Sequence, residues 1–327
     1  MTSAVVIGLS AVVVAIRDNE AVALTVRHRG EGELSGLPFG PFDPDSDRTF
    51  ELALRAFVTE QTRFDLGYVE QLYTFGDKGR DAPLADLGAS GGDPAGNGAG
   101  STRVISVGYL ALAPAAVDTH FAGSEWRTWS RIFPWEDWRT GRPAALDAVE
   151  AALRAWAGND AQKLARARLL FALDGAPWNE ERVLERYELL YEAGLAPETA
   201  RDRGEAAPIR SDALTVALGE PMISDHRRIL ATALGRLRGK LKYRPVVFEL
   251  MPDAFTLSAL QRTVEAIAGV PLHKQNFRRA LERAELVEGL GRLDADTGGR
   301  PAELFRFRRE ILGARPVSGL SLPLLRD

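Results

Sequence analysis

Apolar residues come in short runs in the first third of the chain, and these runs have the length and composition of β-strands. Residues 4–29 hold two of them, AVVIGLSAVVVAI and AVALTVRHR, around the polar break DNE, a pattern typical of a β-hairpin. Residues 66–75 and 103–112 contain further runs rich in β-branched and aromatic residues. The pattern therefore predicts a sheet in this part of the chain.

A helix is predicted over residues 47–61, between these strands. The segment contains neither glycine nor proline. An aspartate before the first turn can accept hydrogen bonds from free helix amides, so Asp45 or Asp47 is the expected N-cap. The apolar positions of this helix are Phe50, Leu52, Leu54, Phe57 and Val58.

Residues 143–235 are predicted to be largely helical, because apolar residues recur there every three or four positions. Asn179 and Ser224 are the expected N-caps of two of these helices, and Gly194 is an expected C-cap. The polar segment 198–212 is predicted to be a surface connection. Residues 243–252 are predicted to form a short strand that ends at a proline and marks a domain boundary.

Residues 82–102 consist almost entirely of small and polar residues, chiefly Gly, Ala, Asp and Pro. Such a segment has too little apolar surface to bury, so a disordered loop is predicted here.

The composition narrows the possible functions. With 327 residues the chain has room for two or three domains, and its net charge of −4 means that any surface for nucleic acid must be local. The absence of cysteine excludes disulfides, thiolate metal sites and a cysteine nucleophile, and suits the reducing cytoplasm. The four histidines lack helical metal-ligand spacing, so no metal site is predicted. Arg17 and Asp18 interrupt the apolar start of the chain, which predicts neither a signal peptide nor a membrane span.

Four tryptophans lie within thirteen residues, and the cluster has two interpretations. It could form a stacking platform for a base, or it could pack in the core or at a dimer interface. The second interpretation is favoured, because tryptophan is chiefly a large packing residue. The four are Trp126, Trp129, Trp135 and Trp138.

The last 75 residues or so contain the pattern of a helix-turn-helix. Thr256 is the expected N-cap of a first helix, Gly269 ends it and Pro271 prevents its continuation. The buried stripe of this helix is predicted to be Leu257, Leu260, Val264 and Ile267. A second helix, HKQNFRRALERAEL, then follows with its own apolar face of Phe277, Leu281 and Leu286.

The opposite face of the second helix is basic, with four cationic residues and one acid between Lys274 and Arg283. Such a local excess of positive charge is what contacts with DNA phosphates require, and Gln275, Asn276 and Arg278 can address base edges. Two strands around the turn DTGGRP (296–301) are predicted to form a wing that carries Arg300. The residues predicted to contact DNA are Thr256, Ser258, His273, Lys274, Gln275, Asn276, Arg278, Arg279, Arg283 and Arg300.

Taken together, FTLSALQRTVEAIAGVPLHKQNFRRAL and GRPAELFRF resemble the winged helix-turn-helix of the Nudix-related transcriptional regulators of NAD metabolism (NrtR). Upstream, ALGRLRGKLKYRPVVFELMP resembles the last Nudix helix and linker of that family. The helical insertion near 141–222 and the tryptophan-rich segment look more like NadQ, a related NAD regulator of alphaproteobacteria. The resemblance implies an α+β fold: a Nudix-like αβα sandwich with a helical insertion (residues 1–250) and a C-terminal winged helix-turn-helix (residues 251–327).

Working Nudix enzymes carry the box G-x5-E-x7-R-E-U-x-E-E-x-G-U, in which U is a bulky aliphatic residue and the glutamates hold magnesium. When its arginine is aligned with Arg55, Ala56 and Thr59 stand at two of the three helix glutamate positions, and only Glu60 keeps its carboxylate. Pro41, Asp47 and Thr62 stand at the remaining box positions. The predicted Nudix domain is therefore a catalytically inactive sensor, although Glu51 lies near enough to substitute for a missing ligand.

The resemblance further implies a dimeric, cytoplasmic repressor of NAD biosynthesis genes that binds a palindromic operator. It also implies an adenine-nucleotide effector (ATP, ADP-ribose or NAD) and no required cofactor. Two alternatives stay open: an active Nudix hydrolase of nucleoside diphosphate derivatives with an atypical box, and a protein-interaction module. The exposed cations of the second helix argue against the module. The predicted ligand-binding residues are Arg27, Arg29, Arg55, Glu60 and Arg80.

Overall fold

The computed structural model describes residues 5–27, 34–77, 80, 103–114, 123–294 and 301–310, and the predicted loop at 82–102 lies outside them. The strands are β1 (Val5–Arg17), β2 (Glu20–Arg27), β3 (Ser35–Gly36), β4 (Phe39–Pro41), β5 (Tyr68–Phe75), β6 (Arg103–Leu112), β7 (Ser124–Thr128), β8 (Phe255–Thr256), β9 (Val287–Asp294) and β10 (Ala302–Phe307). The helices are α1 (Phe50–Thr62), α2 (Trp129–Ile132), α3 (Ala145–Ala157), α4 (Ala161–Phe171), α5 (Val183–Glu192), α6 (Pro197–Asp202), α7 (Asp212–Ala217), α8 (His226–Tyr243), α9 (Leu257–Ala268) and α10 (Lys274–Ala284). Within these ranges no helix is long and apolar enough to cross a membrane.

The central sheet has the strand order β3-β2-β1-β6-β5, with β4 added to β1 and β7 added to β2. Strands β1 and β6 run parallel, and β1 and β2 form the predicted hairpin. The two residues of its turn, Asp18 and Asn19, have φ values of 51° and 63°. Two consecutive left-handed residues match the right-handed twist of the flanking strands, and Asp and Asn tolerate this conformation better than most residues.

Helices cover both faces of this sheet. Alternate residues of β1 point to opposite sides: Leu9 and Val13 pack with α1, whereas Val12 and Val14 lie in the core that includes α8. This arrangement is the predicted αβα sandwich.

The tryptophans pack inside the molecule, as the packing interpretation predicts. Trp126, Trp129 and Trp135 are buried, and the partly buried Trp138 lies against the ring of Trp178 at a centroid distance of 4.7 Å. They belong to the core or pack against it. The stacking-platform interpretation is therefore wrong for the buried rings, because their faces are covered.

The prediction that 198–212 is a surface connection is wrong for its first part. Helix α6 begins at Pro197, and Glu198 is 1% exposed. Its carboxylate accepts a hydrogen bond from the amide of Met222 at 3.1 Å and forms an ion pair with the buried Arg227 at 3.3 Å. The polar sequence around this glutamate predicts exposure, but Glu198 is a core residue. Its partners lie later in the chain and cover it.

Residues 243–252 do not form the predicted strand. Val246–Leu250 make a 3-10 turn after Pro245, with Val247, Phe248 and Leu250 buried. A proline at the start of a helical turn costs little, because the first amides have no helical acceptor. The turn leads into β8 and α9, which share one continuous core with the preceding helices.

Three predicted helix caps are also wrong. The N-cap of α1 is Thr49, whose hydroxyl accepts from the amide of Leu52, whereas Asp47 accepts from Asp43 in the preceding turn. Helix α5 begins at Val183 rather than after Asn179, and α8 begins at His226 after Asp225 rather than at Ser224. Gly194 lies one residue beyond the C-cap of α5 with φ +70°, close to its predicted place.

Candidate nucleic-acid interface

Both ends of α9 are capped, and two of its side chains hold the turn that leads to α10. The hydroxyl of Thr256 accepts from the amide of Ala259 at 3.1 Å, which is the predicted N-cap. Gly269 ends the helix in the left-handed conformation, also as predicted. Glu265 accepts from the amide of Leu272, and Gln261 donates to the Leu272 carbonyl, both at 2.9 Å. These two polar residues hold the start of α10 in place.

Helix α10 is seated by two apolar side chains, Phe277 and Leu281, each 1% exposed. They lie four positions apart and so occupy one stripe of the helix. Leu286, just beyond the helix, is also buried. Because this stripe faces the core, the remaining positions face outward, and the predicted contacts on that exposed face are His273, Lys274, Gln275, Asn276, Arg278, Arg279 and Arg283.

The cations of this face have no partner among the residues that the structure describes. Within the described part of the chain, Lys274, Arg278, Arg279 and Arg283 have no carboxylate within ion-pair distance and no side-chain hydrogen bond. Glu282 is the one acid between Lys274 and Arg283. The helix therefore presents a concentrated positive field to solvent, which is the electrostatic requirement for contacts with DNA phosphates.

The prediction for Thr256 needs correction, whereas the prediction for Ser258 is compatible with its position. Thr256 is 7% exposed and its hydroxyl is engaged in the helix cap, so it is a structural residue rather than an exposed contact. Ser258, in the first turn of α9, is exposed. The predicted cap is confirmed, and the burial of Thr256 argues against a contact between its side chain and DNA.

The predicted wing is present as the antiparallel pair β9 and β10, to which β8 adds a third strand. The ring of Phe307 stacks on Phe248 of the 3-10 turn, with centroids 4.1 Å apart and planes 8° from parallel. The wing is thus attached to the segment that joins it to the rest of the chain. Arg300 lies outside the described residues.

The Nudix-like helix α1 uses its arginine for structure. Arg55 pairs with Glu51 at 2.9 Å and donates to the backbone carbonyls of Leu66 and Gly67 after the helix. Arg55 therefore orders the segment between α1 and β5, and Glu51 is occupied by this ion pair. In the described ranges, no group of three or more His, Cys, Asp or Glu side chains is arranged to hold a metal ion.

The predicted ligand-binding residues are spread over separate elements. Arg27 is exposed at the end of β2, and Glu60 is exposed on α1. Arg80 pairs with Glu188 of α5 at 3.1 Å and its guanidinium lies 3.4 Å from the ring centroid of Tyr191, so it anchors the insertion. The described structure shows no contact that joins Arg27, Arg55, Glu60 and Arg80, and Arg29 lies outside it.

Comparisons with known proteins match the C-terminal part most specifically. Residues 247–307 match the family described as the NrtR DNA-binding winged helix domain. The chain is 38% identical over 94 residues to the ADPR responsive transcriptional repressor NtrR of Acinetobacter baylyi. That match covers 29% of this chain and 37% of the relative, so it spans little more than a third of the relative's length.

The whole fold also has solved counterparts. Shewanella oneidensis NrtR, crystallised with a 27mer DNA, matches over 92% of this chain and 93% of its own with a TM-score of 0.53 and 19% identity. A MutT/nudix family protein from Enterococcus faecalis matches over 94% and 89% with a TM-score of 0.51 and 14% identity. At such identities the likeness shows the fold: a Nudix-like domain followed by a winged helix domain. The resemblance to NrtR-type regulators is confirmed, and the finer likeness to NadQ stays a prediction.

Proposed function

We propose that this protein is a transcriptional repressor of NAD biosynthesis genes that acts in the cytoplasm. It binds palindromic operator DNA as a dimer and responds to an adenine nucleotide held in a catalytically inactive Nudix-like domain. The observation that carries the proposal is the exposed cationic face of α10, which is unpaired within the described ranges and lies in a segment that matches the NrtR winged helix family.

The geometry of α10 supports DNA as the partner of this face. A protein-binding helix usually exposes apolar anchors, whereas Phe277 and Leu281 of α10 point into the core. The outward side chains are cations and amides, which suit phosphates and base edges respectively. In a two-fold dimer, two copies of α10 would read two symmetric half-sites.

The sensor role of the Nudix-like domain rests on its missing carboxylates. Ala56 has no atom that could bind magnesium, and the hydroxyl of Thr59 donates to the Asp65 carboxylate at 3.0 Å. Glu60 alone makes a poor site for a hard cation that prefers several oxygen ligands. Glu51, the possible substitute, is paired with Arg55. A domain that keeps a Nudix-like fold without these ligands is suited to bind a nucleotide rather than to cleave it.

The relative from Acinetobacter baylyi is named as ADPR responsive, which makes ADP-ribose the first effector to test, with ATP and NAD as alternatives. An effector can shift the protein away from DNA only if it binds the DNA-free arrangement more tightly than the DNA-bound one. Arg27, which is exposed and has no side-chain partner in the described structure, is a candidate contact for an effector phosphate.

The decisive experiment is a DNA mobility shift with the promoter of the host's NAD biosynthesis operon, titrated with ADP-ribose, ATP and NAD in turn. We expect a tight shift that one nucleotide changes, which identifies the operator, the effector and the sign of the coupling. A folded dimer that gives no shift at moderate salt would refute the repressor assignment and favour the hydrolase alternative.

Catalytic inactivity has its own test. ADP-ribose and dinucleotides incubated with the protein and magnesium should stay intact by chromatography. Turnover that disappears in Glu60→Ala would show that the box still works as a hydrolase site.

A further inference from the structure

The turn that follows α9 is anchored to the sensor part of the molecule. The carbonyl of Gly269 accepts from the backbone amide of Trp138 at 2.6 Å. A Cβ at position 269 would lie 2.3 Å from the carbonyl oxygen of Glu136 and 2.7 Å from the guanidinium of Arg238. Gly269 is thus required both by its positive φ and by the close approach of the segment that contains Glu136 and Trp138.

Arg238 of α8 connects three parts of the chain at this point. Its Nε donates to the carbonyl of Ile267, near the C-terminus of α9, at 2.9 Å. Its two Nη atoms donate to the carbonyls of Glu180 at 2.9 Å and Glu136 at 3.1 Å, and it also pairs with the Glu136 carboxylate. The last carbonyls of a helix lack helical donors and favour a nearby cation, so this arginine holds the end of α9 directly.

The insertion supplies the other side of this cluster. Arg186 of α5 binds the Glu136 carboxylate through two nitrogens, at 2.5 and 2.8 Å, and its guanidinium lies over the ring of Trp178. The side chains of Arg186, Glu136 and Arg238 are at most 2% exposed. Burial raises the pKa of Glu136, but the two guanidiniums outweigh it and leave that pKa below its ordinary value. The cluster is therefore a buried arginine–carboxylate–arginine group.

Such a group is better suited to fixing geometry than to adding stability. The desolvation of three charges offsets most of their attraction, and an apolar cluster of the same volume would serve stability equally well. A bidentate guanidinium, however, permits one orientation of its partners, whereas apolar contacts allow sliding. Here the oriented partners are α8, the insertion and the end of the helix that precedes α10.

We infer that Arg238 is a positioning residue for DNA recognition, and that with Glu136 and Arg186 it fixes the orientation of α10 relative to the sensor domain. In a dimer this orientation sets the spacing between half-sites that the two α10 helices can reach together. The helical insertion is thereby part of the specificity machinery. The inference rests on the proposed function, because it concerns binding to a two-half-site operator.

The test compares operator duplexes that differ by one inserted or deleted base pair between the half-sites. One base pair moves a half-site by about 3.4 Å and rotates it by about 35°. We expect the native protein to lose about tenfold or more in affinity for the altered duplexes. The Arg238→Met variant should lose about threefold or less, and should bind a single half-site as well as the native protein does.

Arg238→Met is the suitable change because it leaves Glu136 and Arg186 as a balanced pair. Arg236→Met, an exposed arginine on the same helix, is the matched control and should keep the native discrimination. Circular dichroism and the unfolding midpoint establish that both variants are folded. Unchanged spacing discrimination in folded Arg238→Met overturns the inference.

A second measurement decides the inference if the variant does not fold, and it needs no DNA. Hydrogen exchange in the native protein should show the Trp138 amide as protected as the central amides of α8. Exchange of this amide at the rate of an exposed one would mean that the winged helix is not seated on the sensor domain. If the native protein binds none of the duplexes, the proposed function fails, while the exchange result still reports on the seating.

Discussion

The buried arginines that precede α9 and the cations of α10 have the same charge and opposite surroundings. Arg186, Arg227 and Arg238 have side chains at most 2% exposed, and each pairs with a buried glutamate. The cations of α10 are exposed and, in the described residues, unpaired. The first group is held by buried carboxylates, with Arg186 and Arg238 sharing Glu136, whereas the second keeps its charge exposed to solvent. A net charge of −4 for the whole chain conceals this separation.

The largest effect that this comparison predicts is on stability, at Glu136. Glu136→Leu would leave Arg186 and Arg238 buried without their carboxylate. Removing one partner of a buried pair costs about 3–5 kcal/mol, because the remaining charge cannot return to water. We expect a loss of this size in the free energy of unfolding, measured with urea at pH 7. A loss below about 1 kcal/mol would show that the cluster is hydrated or rearranges easily.

The next effect concerns DNA and should leave stability unchanged. Lys274, Arg278 and Arg279 changed together to Ala should weaken operator binding about 100-fold at physiological salt. The dependence of the logarithm of affinity on that of salt should become shallower by about one for each lost phosphate contact. The free energy of unfolding should stay within about 0.5 kcal/mol of the native value, since these side chains have no partners in the part of the chain that the structure describes.

The control for this triple variant is Arg168→Ala, an exposed arginine on α4 without a side-chain partner in the described structure. It should bind the operator as the native protein does. Equal operator affinity of the triple variant and the control would remove α10 from the DNA interface.

The same contrast explains which features could be predicted from the sequence. The helix-turn-helix could be identified from neighbouring residues, because its signals are local. Thr256 and Gly269 cap α9, and Phe277 is flanked by cations within one or two helical turns. Glu136, in contrast, finds Arg186 and Arg238 at separations of 50 and 102 residues. A local pattern could not show that this glutamate is buried, or that its segment contacts the helix-turn-helix.

Two features outside the helix-turn-helix could not be predicted, for different reasons. The ligand contact of Arg80 stays a prediction, but its ion pair with Glu188, 108 residues away on α5, is beyond the reach of any local pattern. The cap of α1 depended on local competition instead: Asp43 and Asp47 bond with each other in the preceding turn, and Thr49 is left as the residue next to the helix. Asp45, Asp47 and Thr49 are equally plausible N-caps in the sequence, and only the hydrogen bonds of the preceding turn decide between them.

Asp225 is intermediate between the buried, paired arginines and the exposed cations of α10, because it is buried but incompletely paired. It precedes α8 and is 7% exposed, and its nearest cation, Arg228 in the first turn of that helix, is 3.3 Å away. Arg80 and Glu188 of α5 also face it. Burial raises the pKa of Asp225 to about 6, against the opposing effect of the arginines.

A raised carboxyl pKa favours the neutral form in the folded state, so its stabilising contribution is lost as pH rises from about 4 through 6. Between pH 5 and pH 7 this group should cost the native protein about 1 kcal/mol of unfolding free energy. Asp225→Asn should lack this component, and the difference between variant and native protein should grow by that amount in urea unfolding at the two pH values. A constant difference would mean that Asp225 is charged throughout this range.

The smallest expected effect is the contribution of an exposed ion pair to stability. Arg166 of α4 and Glu192 of α5 form an ion pair at 2.7 Å with side chains 49% and 47% exposed. Both charges keep most of their hydration, so a double-mutant cycle with Arg166→Met and Glu192→Gln should give a coupling of about 0.5 kcal/mol or less, which high salt removes. A coupling as large as the loss at Glu136 would mean that pairing geometry alone determines the contribution of these arginines. A small, salt-sensitive coupling instead assigns the difference to burial, the property that separates the buried arginines from the cations of α10.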